Sequence, residues 1–258
     1  MAASRTAAGQ AIRSGTVAVA GRPDVKAATL VAPDEAITLS GPPRRFVSRG
    51  GEKLETALER FEVDVTGMRA LDAGASTGGF TDCLLKRGAG HVVAVDVGYG
   101  QLDWRLRQDD RVTVLERTNV RTLDPSLLPY RPQIVTGDLS FISLRLAIPA
   151  LVACSAQGTR FVLLVKPQFE AGRGDVGTSG VVADPDVWLR GLEGVATACR
   201  DEGLGVTGAI ASPLVGPAGN VEFFLGAVAG AAGLEGVGLR EALAAAIREG
   251  SEVRTAHG

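Results

Sequence analysis

From residue 51 onward the apolar positions switch back and forth between two periods. Leu54, Ala57, Leu58 and Phe61 recur at i, i+3, i+4 and i+7, the stripe of an amphipathic helix. Short apolar runs then predict seven strands, near Arg69–Ala73, His91–Asp96, Val112–Leu115, Gln133–Asp138, Arg160–Lys166, Val206–Ala211 and Val221–Val228. Helical patterns fall near Gly79–Arg87, Ser143–Ala153, Asp186–Glu202 and Leu239–Glu249. Alternation at this spacing predicts an α/β domain with a mostly parallel seven-stranded sheet covered by helices on both faces.

The first forty residues follow another rhythm. Ser4 caps a short pattern carrying Ala7, Ala8, Ala11 and Ile12 at helical spacing, and Ser14-Gly15 stops it. Thr16–Ala20, Ala28–Val31 and Ala36–Leu39 read as short β pieces, with a turn at Gly21-Arg22-Pro23. Ser40-Gly41-Pro42-Pro43 is stiffened by its proline pair. The expected organisation is a small unit over residues 1–40, a linker over 41–50 and the main domain over 51–258.

Composition narrows the class. With 45% apolar and 22% charged residues the chain has the balance of an ordinary folded protein, and its 5% aromatics leave the core to aliphatic side chains. Residues 1–10 lack the apolar run of a signal peptide. The longest weakly polar run, Val221 to Leu234, is too short to span a bilayer. A soluble, cytoplasmic protein without stable membrane association is expected. Cys83, Cys154 and Cys199 are widely separated and only two histidines, His91 and His257, accompany them, so no metal-ligand spacing arises and the cysteines read as small buried hydrophobes. Net charge is −2, unevenly spread: residues 1–53 hold eight basic and four acidic side chains, the remainder 19 basic and 25 acidic. A local positive face near the N-terminus suits an anionic polymer.

The clearest chemical signal is Leu71-Asp72-Ala73-Gly74-Ala75-Ser76-Thr77-Gly78-Gly79-Phe80, a strand end running through a glycine-rich turn into a helix. Ligands of open α/β sheets bind beyond the carboxyl ends of strands, and glycines let backbone amides approach them. The next strand ends in Asp96, where an acid accepts ribose hydroxyls. The spacing is not G-x-G-x-x-G, which weakens a dinucleotide, and Phe80-Thr81 stands where a phosphate-cradling loop needs Lys-Ser/Thr. An acid just ahead of the turn suits the positively charged sulfonium and amino groups of S-adenosylmethionine. The competing reading is a glycine-rich turn with no ligand, against which two acids at successive strand ends count.

Four further charged residues fall where the elements deliver them to the same sheet edge: Lys53 at the start of the first helix, Asp138 and Lys166 at strand ends, and Glu222 inside an apolar run. Each singly suits a salt bridge at a sheet end or an exposed strand face, because such charges are costly unless paired. Together at the cofactor edge they point to proton transfer involving a hydroxyl.

These stretches, with Phe46-Val47-Ser48-Arg49-Gly50-Gly51-Glu52-Lys53-Leu54, Val95 to Leu102, Glu116-Arg117-Thr118-Asn119, Asp138 to Ser143, Leu164 to Glu170 and Ser212-Pro213 through Glu222, resemble the TlyA family of ribosomal RNA 2′-O-methyltransferases, historically also called hemolysins. The resemblance runs from Ser4 to about Gly250 and implies a Rossmann-like core similar to the FtsJ-type enzymes, whose Lys-Asp-Lys-Glu tetrad falls on Lys53, Asp138, Lys166 and Glu222. It implies Lys166 as general base on a ribose 2′-hydroxyl, the other three holding and tuning it. The cofactor contacts it implies are Asp72, Gly74, Ala75, Ser76, Thr77, Gly78, Gly79, Phe80, Asp96, Val97, Asn119 and Asp138, with no metal. The implied partner is ribosomal RNA within ribosomal subunits, methylated at cytidine in 16S or 23S rRNA.

Residues 4–40 resemble the S4 RNA-binding domain of that family; the helix usual before the Ser4-Arg5 pair does not precede it in this sequence, so either the start lies upstream or the domain is truncated. Arg5, Lys26 and Arg49 are the implied RNA contacts. Phe46 stands where relatives commonly have tryptophan. Two other classes remain as alternatives: a membrane-active hemolysin, which lacks a strongly amphipathic cationic helix here, and a non-catalytic RNA-binding protein, against which the intact tetrad counts.

Overall fold

The structure, a computed structural model, describes residues 8–9, 11–12, 16–22, 25–39, 45–172, 174–177, 180–216 and 218–257. The chain forms two compact units, Met1–Arg45 and Phe46–Gly258. In the first, β1 (Val17–Val19) pairs antiparallel with β2 (Ile37–Leu39), Val17 opposite Leu39. Ala8, Gly9, Ala11 and Ile12 are helical, while Ser4 and Ala7 of the expected pattern lie outside the described residues. The expected strand at Ala28–Val31 does not form. Lys26 N donates to Thr29 Oγ1 at 2.9 Å and Thr29 N to Lys26 O at 2.9 Å, which closes a turn there, and among the described residues no neighbouring strand supplies a ladder.

The second unit carries the sheet. Its elements are α1 (Gly50–Arg60), β3 (Arg69–Ala73), α2 (Gly79–Lys86), β4 (His91–Val95), α3 (Trp104–Arg107), β5 (Val112–Leu115), β6 (Ile134–Gly137), α4 (Ile148–Ala153), β7 (Arg160–Val165), α5 (Pro167–Glu170), α6 (Pro185–Asp201), β8 (Leu204–Ala211), β9 (Phe223–Ala229) and α7 (Gly236–His257). The seven strands lie in the order β5-β4-β3-β6-β7-β9-β8. All pair in parallel except β9, which runs antiparallel to both β7 and β8.

Alternation along each strand divides the core. Leu71, Val93, Val135, Leu163 and Phe223 face one side, where α4, α6 and α7 contribute Ile148, Trp188, Leu192 and Leu243. Ala70, Val92, Ile134, Leu164 and Phe224 face the other, under Leu54 and Leu58 of α1 and Leu84 of α2.

The segment Ser143–Ala153 is not one helix. Pro149 lacks an N–H and fits only a first turn, so α4 starts at Ile148 after a separate 3-10 turn at Leu144–Leu146. The last helix extends well past the predicted Leu239–Glu249. Beyond Glu249 it is held by Val253 against the core and by Arg254 Nη1 donating to Ala183 O at 2.6 Å, a stretch with too few apolar residues to show a period.

Trp188 anchors α6. It is 1% exposed, donates from Nε1 to Val182 O at 2.9 Å, and packs on Phe223 with ring centroids 5.7 Å apart. Trp188→Ala is expected to cost about 3–5 kcal/mol, lowering the melting temperature in a calorimetric scan by on the order of 10 °C.

Candidate active site

The turn after β3 is held from below by backbone bonds and at its rim by Asp96. Gly74 N and Ala75 N donate to Val95 O at 2.8 and 3.1 Å, and Asp138 N donates to Ala73 O at 3.0 Å. Gly74 has φ +85° and a Cβ there would collide with the Asp138 carbonyl, so only glycine serves. Ser76, at φ 49°, donates its N–H to Asp96 Oδ2 at 2.8 Å, and Gly98 N donates to Oδ1 at 2.7 Å. Gly78 N bonds Ala75 O at 2.7 Å, and Thr77 O accepts from Asp103 N at 3.2 Å. Gly79 lies so close to Ser48 and Gly51 that a side chain there would strike both. Phe80 is buried against Phe224, 6.1 Å between centroids.

Beside the turn, Ala94, Leu102 and Val114 floor a cleft rimmed by Ser76, Asp96 and Glu116. The acid at the end of β4, Asp96, stands where open α/β sheets meet a ribose. Glu116 is itself tied, accepting from Gly100 N at 2.7 Å and from Arg107. Val97, next to Asp96 in the chain, is 72% exposed. Asn119 is exposed, and its side chain caps the 3-10 turn Val120–Thr122 by accepting from Arg121 N at 3.0 Å.

Asp72 sits elsewhere than expected. Its carboxylate is fully buried beneath the turn, accepting from Thr81 Oγ1 at 2.7 Å and Thr136 Oγ1 at 3.3 Å. It braces the turn against α2 through Thr81 rather than forming an open rim. Burial pushes the carboxyl up to about 7; the Thr81 hydrogen bond opposes the shift and the nearby charge of Asp138 adds to it.

The four other charged residues form two pairs. Lys53 Nζ meets Glu222 Oε2 at 2.5 Å, both side chains sealed from solvent. Lys166 Nζ meets Asp138 Oδ1 at 2.5 Å and donates to Ser140 Oγ at 2.9 Å, with more solvent around it. Asp138 and Lys166 follow the adjacent strands β6 and β7, and the pairing of Val165 with Phe223 brings Glu222 alongside. Lys53 is delivered by α1, whose first turn is wedged by Phe46 packed on Gly51 and tied by Val47 N to Asp82 Oδ2 at 2.9 Å.

Arg49 is exposed at the start of α1 and Lys26 is exposed in the first unit, while Arg5 lies outside the described residues. Sequence reasoning passes over four residues at the site. Ser140 bonds the lysine. Thr81 and Thr136 occupy Asp72. Phe141 is 89% exposed with φ 65°, its ring 5.4 Å from that of Phe169. An aromatic flanked by Ser140 and Ser143 beside a charged strand end is the available signal for Phe141. Among the described residues no group of three or more His, Cys, Asp or Glu could hold a metal, and no helix is long and apolar enough to cross a membrane.

This strand order, with a glycine-rich turn after β3 and lysine–acid pairs at the same sheet edge, defines a Rossmann-like methyltransferase. The FtsJ-like methyltransferase model matches residues 46–228, and the chain belongs to that family. It is 53% identical over 226 residues to the 16S/23S rRNA (cytidine-2′-O)-methyltransferase TlyA of Mycobacterium tuberculosis, covering 87% of this chain and 84% of that one. It is 40% identical over 180 residues to Hemolysin A of Brachyspira hyodysenteriae, covering 69% and 75%. The solved structure of a Streptococcus thermophilus protein that carries the hemolysin name superposes with a TM-score of 0.80 at 39% identity, covering 97% and 92%.

The raised Asp72 value carries a stability signature. The folded state holds this proton more tightly than the unfolded chain, so its contribution is fully favourable below about 4 and is lost as pH rises to about 7. A rise of that size is worth at most about 4 kcal/mol. Asp72→Asn keeps an acceptor for Thr81 and removes the titration. Melting curves from pH 4 to pH 8 are expected to show wild type losing stability relative to the variant, the gap opening across that window.

Proposed function

We infer that the protein is an S-adenosylmethionine-dependent ribosomal RNA (cytidine-2′-O)-methyltransferase acting on 16S or 23S rRNA in ribosomal subunits, in the cytoplasm. The observation that carries this reading is the convergence of Lys166–Asp138 and Lys53–Glu222 at the mouth of the Asp72–Phe80 turn. The similarity to the mycobacterial enzyme supports the choice of RNA and nucleoside.

S-adenosylmethionine, when bound, supplies an electrophilic methyl group. Asp96, bonded to Ser76 N and Gly98 N, would hold its ribose, Asp138 would complement its positive charge, and Asp72 would shape the turn from beneath through Thr81. Lys166 would take the proton of the ribose 2′-hydroxyl at Nζ, and the cofactor would supply the methyl group to the oxygen so freed. Asp138 offsets the positive charge that then resides on Lys166, and Ser140 directs the amine by its hydrogen bond. Lys53 and Glu222 hold the neighbouring wall, their mutual pairing keeping the excess charge at the mouth on Lys166 and Asp138. Much of the rate would come from positioning the 2′-oxygen against the methyl donor. Phe141 presents an open ring face on which the target base stacks once drawn out of its helix.

With tritiated cofactor and purified ribosomal subunits, wild type is expected to label ribose 2′-oxygens. Lys166→Ala should fall by on the order of 100-fold or more while its calorimetric affinity for the cofactor persists. Label on bases or protein, or wild-type transfer by the variant, would sink the assignment. Phe141→Ala is expected to raise KM for subunits about tenfold, since stacking is worth roughly 1–3 kcal/mol per base, with the cofactor dissociation constant unmoved.

A further inference from the structure

We propose that Glu170 is a positioning residue of the reaction: its buried carboxylate clamps the loop after β6 to the loop after β7 and so fixes where Lys166, Ser140 and Phe141 stand. The inference rests on the reading of Lys166 as the proton acceptor.

The two loops belong to adjacent parallel strands, with Gly137 opposite Leu163. One carries Asp138, Ser140 and Phe141, the other Lys166 and Phe169. Glu170 closes the short helix α5, four residues after Lys166, with a side chain only 2% exposed. Its Oε2 accepts from Ser143 Oγ at 2.5 Å and from Arg145 Nε at 3.2 Å, and its Oε1 accepts from Leu144 N at 2.7 Å. Arg145 also donates from Nη2 to the Glu170 carbonyl at 3.1 Å and from Nε to Ser143 Oγ at 3.1 Å. Every one of these bonds crosses from one loop to the other, except the last, which braces the far side of the clamp.

Three considerations make this more than a local cap. An apolar side chain could close the same junction without desolvating a carboxylate, a step that costs several kcal/mol before pairing. The clamped loop contains Phe141 in the left-handed backbone region, a conformation that persists only where surrounding contacts over-determine it. The Lys166–Ser140 bond and the Phe141–Phe169 ring contact span the same two loops, and the clamp adds the bonds that fix their spacing. The cofactor turn is held mainly by Val95 and Asp96, and its one backbone bond to the loop after β6, from Asp138 N to Ala73 O, lies at the strand end, five residues ahead of Ser143. Cofactor binding and proton transfer therefore respond differently to loss of Glu170.

The test uses full-length Glu170→Ala and Glu170→Gln. Three quantities are measured: cofactor affinity by calorimetry, kcat and KM on ribosomal subunits, and the rate of reductive methylation of each lysine by formaldehyde and cyanoborohydride, read by peptide mass spectrometry. The chain has four lysines, Lys26, Lys53, Lys86 and Lys166, so each can be followed. Glu170→Ala is expected to lose on the order of 100-fold in kcat, as displacement of a reacting group by about 1 Å does. Cofactor affinity should hold within about threefold and Lys166 should label several-fold faster, with Lys53 unchanged, because its partner Glu222 lies outside the clamp. Glu170→Gln keeps an acceptor for Leu144 but not the charge facing Arg145, and should lose about tenfold. Equal kcat in wild type and variants overturns the proposal, as does Lys53 labelling that rises in step with Lys166, which marks general loosening. The labelling needs no methyl acceptor. A wild type that fails to methylate ribose overturns the proposed function, while the lysine pattern still decides whether the clamp exists.

Discussion

A lysine and a glutamate sealed from water must find each other or fail together. Lys53 and Glu222 lie 169 residues apart in the chain and 2.5 Å apart in space, and leaving either one unpaired there would strand a buried charge at a cost of about 3–5 kcal/mol. That requirement fixes how α1 lies against the start of β9. It accounts for the wedge of Phe46 on Gly51, which leaves no room to shift the first turn of α1. It also accounts for the aromatic bracket around Glu222: Phe224 stacks on Phe80 on one face of the sheet, and Phe223 packs on Trp188 on the other. Apolar packing on both faces holds the strand rigid where its preceding residue must meet a single partner.

The same strand geometry decides which charges can cooperate. Side chains alternate across a sheet with period two. Ala70, Ile134, Leu164 and Phe224 all point to the face covered by α1 and α2, so Asp72, Asp138, Lys166 and Glu222, each an even number of residues away, share that parity. Three of these lie at or just beyond the carboxyl ends of parallel strands. Glu222 precedes its strand, and joins them only because β9 runs antiparallel and pairs Phe223 with Val165. A parallel strand in that place would send the glutamate to the opposite edge. The reversed strand is thus what completes the four-charge arrangement, and the sheet's two-sided burial makes a one-residue slip prohibitively expensive.

Most of this is legible in the chain because it is periodic. All seven strands and the alternation of helices follow from apolar spacing, and the turn at Gly74–Gly79 and its four charged neighbours follow from residue type at strand ends. What escapes is short or irregular. Helices α3 and α5 have four residues each, too few to show a period, and both are set by local capping or proline. The segment Ala28–Val31 has strand-like residues without a partner strand, and a side-chain bond closes it into a turn. Asp72 reads in sequence as an open acid because its position in the turn is visible there, whereas its burial depends on Thr81 and Thr136 arriving from other elements. Phe141 and Glu170 escape for the mirror reason: an exposed aromatic and a buried carboxylate invert what their residue types suggest, and only packing reveals the inversion.

The two ion pairs differ in a way that assigns them different work. A pair closed to solvent on both sides, as Lys53 and Glu222 are, has no route for a proton to leave and no space for a substrate oxygen, so its effect is exerted through position and field. Lys166 sits beside exposed Ser140, its partner Asp138 is 26% open, and the next residues outward are the open ring of Phe141 and solvent. A proton accepted there can be passed on to water between turnovers. The sealed pair therefore suits the wall and the open pair suits the chemistry, and what separates them is the acid: Glu222 is 1% exposed and Asp138 26%, while the two lysines are covered alike at 8% and 11%.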